Sequence, residues 1–202
     1  MEIRLESERD FKEVENLTRE AFWDVYRPGC NEHVVLHKLR KSDAFIKELD
    51  YIVVEDEKIV GNIVYTKMYK EDALCDEIIA FGPISVHPEY QRRGIGKQMI
   101  QYTFQKAKEL GYKAVLITGD TNYYHPLGFA SASKFGIYLP GMDQTKEAAF
   151  FMAIELEEGY LKEHTGIYYF DSNFEVSEEE LEAFERNFPH KEKRKPQKGD
   201  LA

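Results

Sequence analysis

Val86-His87-Pro88-Glu89-Tyr90-Gln91-Arg92-Arg93-Gly94-Ile95-Gly96 is the stretch on which the reading of this chain turns. It lies between an apolar, β-rich run that ends at Val86 and a run with helical spacing. Glycine accepts positive φ and lets the backbone approach a ligand without a Cβ clash. A glycine-bearing loop that feeds a helix N-terminus offers clustered backbone N–H groups and the positive end of a helix dipole to an anion. The stretch therefore reads as a cradle for the pyrophosphate of a nucleotide-bearing cofactor. Three nucleotide patterns compete for it. A Walker loop, G-x-x-x-x-G-K-[ST], fails because Gly96-Lys97 has no upstream glycine and is followed by Gln98. The dinucleotide fingerprint G-x-G-x-x-G accepts Gly94 and Gly96 but meets Met99 at its third position. The pattern Q/R-x-x-G-x-G/A at a strand-to-helix junction is matched completely by Gln91-Arg92-Arg93-Gly94-Ile95-Gly96.

Working outward, Ile100, Thr103, Phe104, Ala107 and Leu110 mark the helix after the loop, and Gly111 ends it. Upstream, residues 78–86 form an apolar run interrupted by Gly82-Pro83. Proline donates no N–H and glycine relaxes the backbone, so a bulge or splayed strand end is expected there. Tyr51–Val54 and Ile59–Met68, joined by the polar turn Glu55-Asp56-Glu57-Lys58, predict an antiparallel hairpin. Residues 2–6 predict a first strand. Phe11, Val14, Leu17, Ala21, Phe22 and Val25 predict an amphipathic helix over 8–25, broken by Pro28-Gly29, and a second helix is expected over 31–41. Ala114–Ile117 reads as a buried central strand. Residues 120–129 read as a polar and aromatic turn or short helix, and runs near 135–139 and 149–156 are expected to close the sheet. Strands alternate with helices in the first 156 residues, without repeats or low-complexity linkers.

The character changes after residue 156. Tyr160, Tyr168, Tyr169, Phe170 and Phe174 follow no clear period. Ser177 and Glu180 have capping-box separation, and Leu181, Phe184 and Phe188 give the next helix an apolar stripe expected to dock on the main domain. Three segments are expected: a domain over 1–156, a packed extension over 157–189, and a mobile tail from 190 to 202, since 190–200 is one short charge run.

Lys+Arg number 27 against 37 Asp+Glu, a formal net charge of −10, which argues against nucleic acid as the main partner. The two cysteines, Cys30 and Cys75, show neither metal-ligand spacing nor a disulfide framework, so no metal is expected and a reducing cytosol is the default. Without a membrane-length apolar stretch or a signal-peptide start, the expectation is a soluble cytoplasmic protein with no membrane partner.

A second signature lies about thirty residues after the glycine loop: Tyr123-Tyr124-His125-Pro126-Leu127-Gly128-Phe129, preceded by Gly119-Asp120-Thr121-Asn122. With both in the correct order, residues 2–156 resemble the GNAT superfamily of acetyl-CoA-dependent N-acetyltransferases, and the G-D-x-x-Y-Y segment resembles its YhbS-like branch. The resemblance implies an α/β (α+β) fold: a mixed, mostly antiparallel sheet flanked by helices and splayed at the cofactor site, here with an α-containing C-terminal extension. It implies acetyl-CoA as cosubstrate. The backbone of Ile84, Ser85 and Val86 would meet the pantetheine arm. Gln91, Arg92, Arg93, Gly94, Ile95, Gly96 and Lys97 would meet the pyrophosphate, with Asn122 and Tyr124 also at the cofactor.

The reaction so implied is attack of a neutral primary amine, from a small-molecule or peptide acceptor, on a thioester. A free alkyl amine titrates near ~10.4 and must first lose a proton. The Val86 N–H is the candidate oxyanion donor. Tyr124 occupies the family's general-acid position for a thiolate leaving group of pKa roughly 8.5. The base stays open. The usual position falls near Ala80, Glu77 is the nearest carboxylate, His125 is adjacent to Tyr124, His87 and His33 stand behind, and a pre-deprotonated substrate needs none. A non-catalytic acyl-CoA-binding module is the alternative function, and a homodimer through sheet edges or the last helix is a further expectation.

Overall fold

The computed structural model describes residues 1–200. Its strands and helices run β1 (Glu2–Leu5), α1 (Phe11–Phe22), α2 (Glu32–Leu39), β2 (Tyr51–Glu55), β3 (Lys58–Lys70), β4 (Ala73–Val86), α3 (Ile95–Glu109), β5 (Ala114–Thr118), α4 (Thr121–Tyr124), β6 (Ala130–Ser131), β7 (Ile137–Tyr138), β8 (Phe151–Glu155), β9 (Gly166–Tyr169) and α5 (Glu178–Glu185). The sheet order is β1-β2-β3-β4-β5-β8-β6, with β9 joining β3 near its end and β7 pairing β9. Among the described residues, only β4–β5 and β7–β9 are parallel. The mixed, mostly antiparallel sheet expected from the sequence is the one observed.

The β2–β3 hairpin turns on Asp56 (φ 50°) and Glu57 (φ 64°). Two central residues at positive φ match the right-handed twist of the strands they join. Period-two alternation then sorts the side chains. Val53, Ile63 and Tyr65 face Met99, Ile100 and Ala107 of α3. Ile52 and Val64 face Val14 and Leu17 of α1 and Leu36 and Leu39 of α2. β4 starts earlier than its apolar run, because Ala73 and Leu74 pair with Lys70 and Tyr69 at the end of β3, with Asp76 and Glu77 exposed in the irregular stretch before Ile79. The run near 135–139 pairs β9 outside the main path, and β8 closes the sheet against β5. The first helix stops at Phe22, short of residue 25, because Asp24 turns left-handed (φ 61°) and its N–H bonds the Gly29 carbonyl at 2.9 Å.

The extension returns to the first two helices. Its capping box forms: Glu180 N–H donates to Ser177 Oγ at 3.2 Å and Ser177 N–H to Glu180 Oε2 at 2.8 Å. Phe184 and Phe188 pack on His33 with ring centroids 5.6 and 5.2 Å away. Arg19, 2% exposed, donates from Nε and Nη2 to the Glu185 carboxylate at 2.9–3.1 Å and from Nη2 to the Pro189 carbonyl at 3.2 Å. Residues 190–200, expected from composition to be a mobile tail, run without helix or strand alongside α1, where Lys191 Nζ reaches Glu20 Oε2 at 2.6 Å.

A buried guanidinium stripped of its carboxylate keeps its desolvation cost without compensation. Glu185→Ala is expected to destabilise the protein by about 2–4 kcal/mol in urea unfolding, with Arg19 left facing Phe188 and Trp23. His33 Nε2 lies 2.8 Å from Glu185 Oε1 but off the line of a ring N–H, and it makes no hydrogen bond. Burial dominates and pushes His33 down to about 4 from 6.5. Its folded pKa is below the unfolded one, so its stabilising contribution is complete above pH 6.5. That contribution is lost as pH falls toward 4, while the unfolded chain takes up the proton first. Unfolding titrations between those limits should therefore show a steeper pH slope in the native protein than in His33→Gln, by up to about 1.4 kcal/mol per pH unit.

Candidate active site

The parallel β4–β5 ladder lasts only three pairs, Ile78–Ala80 against Ala114–Leu116. Beyond Ala80, β4 stays on β3 while β5 follows β8 to Thr118. A wedge opens between them. At its vertex β4 carries a bulge: Tyr65 pairs Phe81 and Ile63 pairs Ile84, which leaves Gly82 and Pro83 opposite Val64 alone. The expected interruption is at that place.

Antiparallel residues alternate between groups bonded to the partner strand and groups pointing away from it. His87 N–H donates to the Val60 carbonyl at 2.9 Å, which assigns Ser85 and His87 to the β3-facing set. The N–H groups of Ile84 and Val86 point into the wedge. Ser85 is therefore corrected as a cofactor contact: its backbone faces β3 and its hydroxyl donates to Thr18 Oγ1 of α1 at 3.1 Å.

The glycine loop sits at the open end. Gln91 Nε2 donates to the Val86 carbonyl at 3.1 Å and ties the loop to its strand. Gly94 caps α3 at φ 81°. The first N–H groups of a helix have no acceptor in the turn before them. Here Gln98 N–H is bonded to the Gly94 carbonyl at 3.0 Å, and those of Ile95, Gly96 and Lys97 precede it. The first turn carries no acid and instead holds Lys97, with Arg92 and Arg93 just ahead. That reverses the usual charge complement of a helix dipole, and an anion bound there would restore it. Arg93 is drawn aside, because its Nη2 donates to Glu55 Oε1 at 2.8 Å and its guanidinium lies 5.1 Å from the Tyr90 ring centre. Arg92 and Lys97 line a groove of about 510 Å³ together with Val86, Tyr90, Gln91, Gly94–Gly96 and Tyr123.

α4 turns two adjacent tyrosines in different directions, since helical neighbours lie about 100° apart. Tyr124 packs inward on Phe81, Phe129 and Tyr123 at 5.9, 5.6 and 4.9 Å between ring centres. Burial pushes its hydroxyl well above the usual tyrosine range, with the neighbouring Tyr123, Tyr26 and Asp120 adding to it. Gly119 makes room for that ring: a Cβ there would lie 2.5 Å from Tyr124 Cε2. Tyr123 points outward, its hydroxyl 2.5 Å from where a Gly96 Cβ would sit. Asp120 caps α4 by accepting Asn122 N–H at 2.9 Å, and the Asn122 side chain donates to the same Oδ1 at 3.0 Å. Tyr123, Tyr90 and Gly119 were missed from the sequence. The Y-Y pair and the G-D-T-N segment carry the signal for Tyr123 and Gly119, once α4 is seen to start at Thr121.

Glu77 is not brought to this site. It lies before the ladder, where its carbonyl accepts Lys113 N–H at 2.8 Å and its carboxylate accepts the Tyr160 hydroxyl at 3.1 Å. Phe81 is four positions further on, about 13 Å along β4. Val86 lies at the glycine-loop end, with Cγ2 3.9 Å from the Cβ position of Gly96, while the Phe81 ring lies 5.9 Å from that of Tyr124.

The match with known proteins covers the same elements. Residues 12–129 match the acetyltransferase (GNAT) family. The chain belongs to that family. It is 26% identical over 136 residues to the uncharacterized N-acetyltransferase YhbS of Escherichia coli K12, covering 66% of this chain and 75% of that one. The crystal structure of Escherichia coli YhbS in complex with CoA superimposes with a TM-score of 0.74 at 23% identity, over 86% of this chain and 91% of that one. A GNAT family acetyltransferase from Brucella melitensis in complex with acetyl-CoA gives 0.67 at 22% identity, over 86% and 97%. These two matches show the same fold. No group of His, Cys, Asp or Glu among the described residues is arranged to hold a metal, and no described helix is long and apolar enough to cross a membrane.

Gly94 is the residue of the loop whose φ demands glycine. Gly94→Ala should cost about 1 kcal/mol in chemical unfolding, because an L side chain is strained at φ 81° even though no atom other than Gln98 Nε2, at 3.9 Å, approaches the new Cβ.

Proposed function

We propose that this protein is an N-acetyltransferase that moves an acetyl group from acetyl-CoA to a primary amine. The observation that carries the reading is the continuity of three features: an anion cradle at the α3 N-terminus, two inward N–H groups on a splayed strand, and a buried protonated tyrosine at the vertex. A diphosphate meets the N–H groups of Ile95, Gly96 and Lys97, with Arg92 and Lys97 adding charge. The pantetheine arm adds to the free edge of β4 as a strand would, meeting Val86 first. The Ile84 N–H, about 7 Å further along the strand toward Phe81 and Tyr124, takes over the oxyanion role first considered for Val86.

In the reaction the amine nitrogen attacks the thioester carbon, a C–N bond forms, and the carbonyl π pair moves to oxygen under the Ile84 N–H. Collapse of that oxyanion expels the thiolate, which takes its proton from Tyr124. Tyr124 is protonated at neutral pH, as a proton donor must be, and burial favours that neutral form further. The amine arrives neutral, having left one proton in solvent; after attack its cationic nitrogen gives a second proton to solvent at the open mouth, and solvent returns a proton to the Tyr124 phenolate before the next turnover. The family relationship and the CoA and acetyl-CoA complexes of the two structural neighbours support the cosubstrate. The alternative, a module that binds acyl-CoA without turnover, draws on Ala80, which is buried at the ladder's end where a carboxylate base would stand.

Two measurements separate the readings. Calorimetry with CoA should show saturable binding, and thiol release with a panel of primary amines should show turnover. Tyr124→Phe should lower kcat by roughly 10–100-fold with CoA affinity within about threefold, since a thiolate needs only modest protonation help. Full activity of that variant at every pH removes Tyr124 from the mechanism, and binding without turnover on any amine favours the module.

A further inference from the structure

We propose that Thr18 of α1 is a positioning residue for the reaction: through the Ser85 hydroxyl it holds the register of β4 on β3, and so decides that the N–H groups of Ile84 and Val86, rather than that of Ser85, face the pantetheine arm. The inference rests on the acetyl-transfer reading and adds the device that orients its donors.

Beyond the bulge, β3 and β4 meet through the pairs Ile63–Ile84, Asn62–Ser85 and Gly61–Val86. The middle pair is polar and lies against α1. Asn62, Ser85 and Thr18 are each 2% exposed or less. Ser85 Oγ donates to Thr18 Oγ1 at 3.1 Å, and Thr18 Oγ1 donates to Asn62 Oδ1 at 3.2 Å. Asn62 Nδ2 has no partner, so the bond from Thr18 is what orients the amide. A single hydroxyl thus accepts from one strand and donates to the other. The helix that carries it is fixed on either side of that residue. Leu17 packs with Ile52 and Val64 of the sheet, and Arg19 holds the Glu185 carboxylate of α5.

A bulge sets two residues against one, and the backbone alone does not fix where along the strand that step falls. Moving the step by one residue turns every side chain from 84 to 86 to the other face of the sheet. In the observed register Ile84 and Val86 join Ile95 and Met99 of α3 on the apolar face. In the slipped register the Ser85 hydroxyl enters that apolar cluster without an acceptor, and Thr18 loses its donor. A buried hydroxyl stripped of its partner keeps its full desolvation cost. Ile84 and Val86 are only partly buried, so much of the discrimination falls to the polar contact. The parity has a chemical consequence. Slippage would turn the Ile84 and Val86 N–H groups toward β3, away from the pantetheine arm and the oxyanion, while leaving the α3 N-terminus and its anion cradle unchanged.

The test uses the full-length protein with Thr18→Val, which keeps the shape and removes the hydroxyl, and Thr18→Ser, which keeps the hydroxyl. Each is titrated calorimetrically with CoA and with ADP, which carries the diphosphate without the pantetheine arm. Thr18→Val should raise Kd for CoA about tenfold and lower kcat with the fastest primary amine about tenfold, with Kd for ADP within about twofold. Hydrogen exchange at the Ser85 amide should speed about tenfold in the same variant. Thr18→Ser should return all of these to within about threefold of the unmodified protein. A general loosening of the fold moves CoA and ADP together, and that result overturns the inference. Unchanged CoA affinity, unaltered Ser85 exchange or no rescue by Thr18→Ser overturns it as well, while the acetyltransferase reading stands. If Thr18→Val does not fold, Ser85→Ala decides by the same two titrations: CoA weakened about threefold with ADP unchanged supports the inference, and equal change or no change in the two ligands overturns it. Calorimetric CoA binding with no amine turned over by the unmodified protein instead overturns the acetyltransferase reading, and the inference with it.

Discussion

Every functional feature of this molecule depends on two neighbouring strands ceasing to pair. The β4–β5 ladder ends at Ala80 and Leu116, and each strand continues on its other neighbour. The sheet stays continuous around the gap, so the opening costs only the few backbone bonds that would have crossed it. Those groups remain solvent-facing hydrogen-bonding partners. The bulge at Gly82-Pro83 sets the pleat so that Ile84 and Val86, and not Ser85, address the gap. One residue of slip would turn the opposite set inward, which is why the register of β3 against β4 matters more than the identity of the side chains.

The gap is stabilised by what fills its floor. Phe81, Phe104, Phe129 and Tyr124 form a mutually tilted aromatic cluster beneath it, with ring centres 5.6–6.4 Å apart. Such clusters bury large apolar area in fixed geometry. They also hold a phenol out of water while leaving its oxygen near the vertex. Packing and chemistry thus share a single set of side chains, and Gly119 is required by the ring it accommodates.

Much of this was legible in the sequence. The β2–β3 hairpin showed its alternation and its Glu-Asp-Glu-Lys turn, the glycine loop its pattern, and the Gly-Pro its interruption. What stayed hidden was hidden for physical reasons. Asp76 and Glu77, both exposed, separate Ala73-Leu74-Cys75 from the apolar run at 78–86, so the first third of β4 does not read as part of that strand. β9 is four residues long and earns its place by pairing with β3, a partner about 100 residues away. The parity that separates Ser85 from its neighbours is a property of register, which no local pattern encodes. Glu77 was singled out by proximity in sequence to a splay whose position only the ladder reveals. The tail was read from composition, yet the groups that bind it, Glu20, Trp23 and Asp24, belong to the other end of the chain.

Trp23 is the chain's single tryptophan, and both Arg19 and Lys191 lie over its ring, with its indole N–H on the Glu192 carbonyl. Its ultraviolet emission consequently comes from one place alone, the junction of the last segment with the first helix. A red shift would register water entering that junction. The molecule therefore carries a built-in spectroscopic probe of whether its two ends are joined, readable without labels.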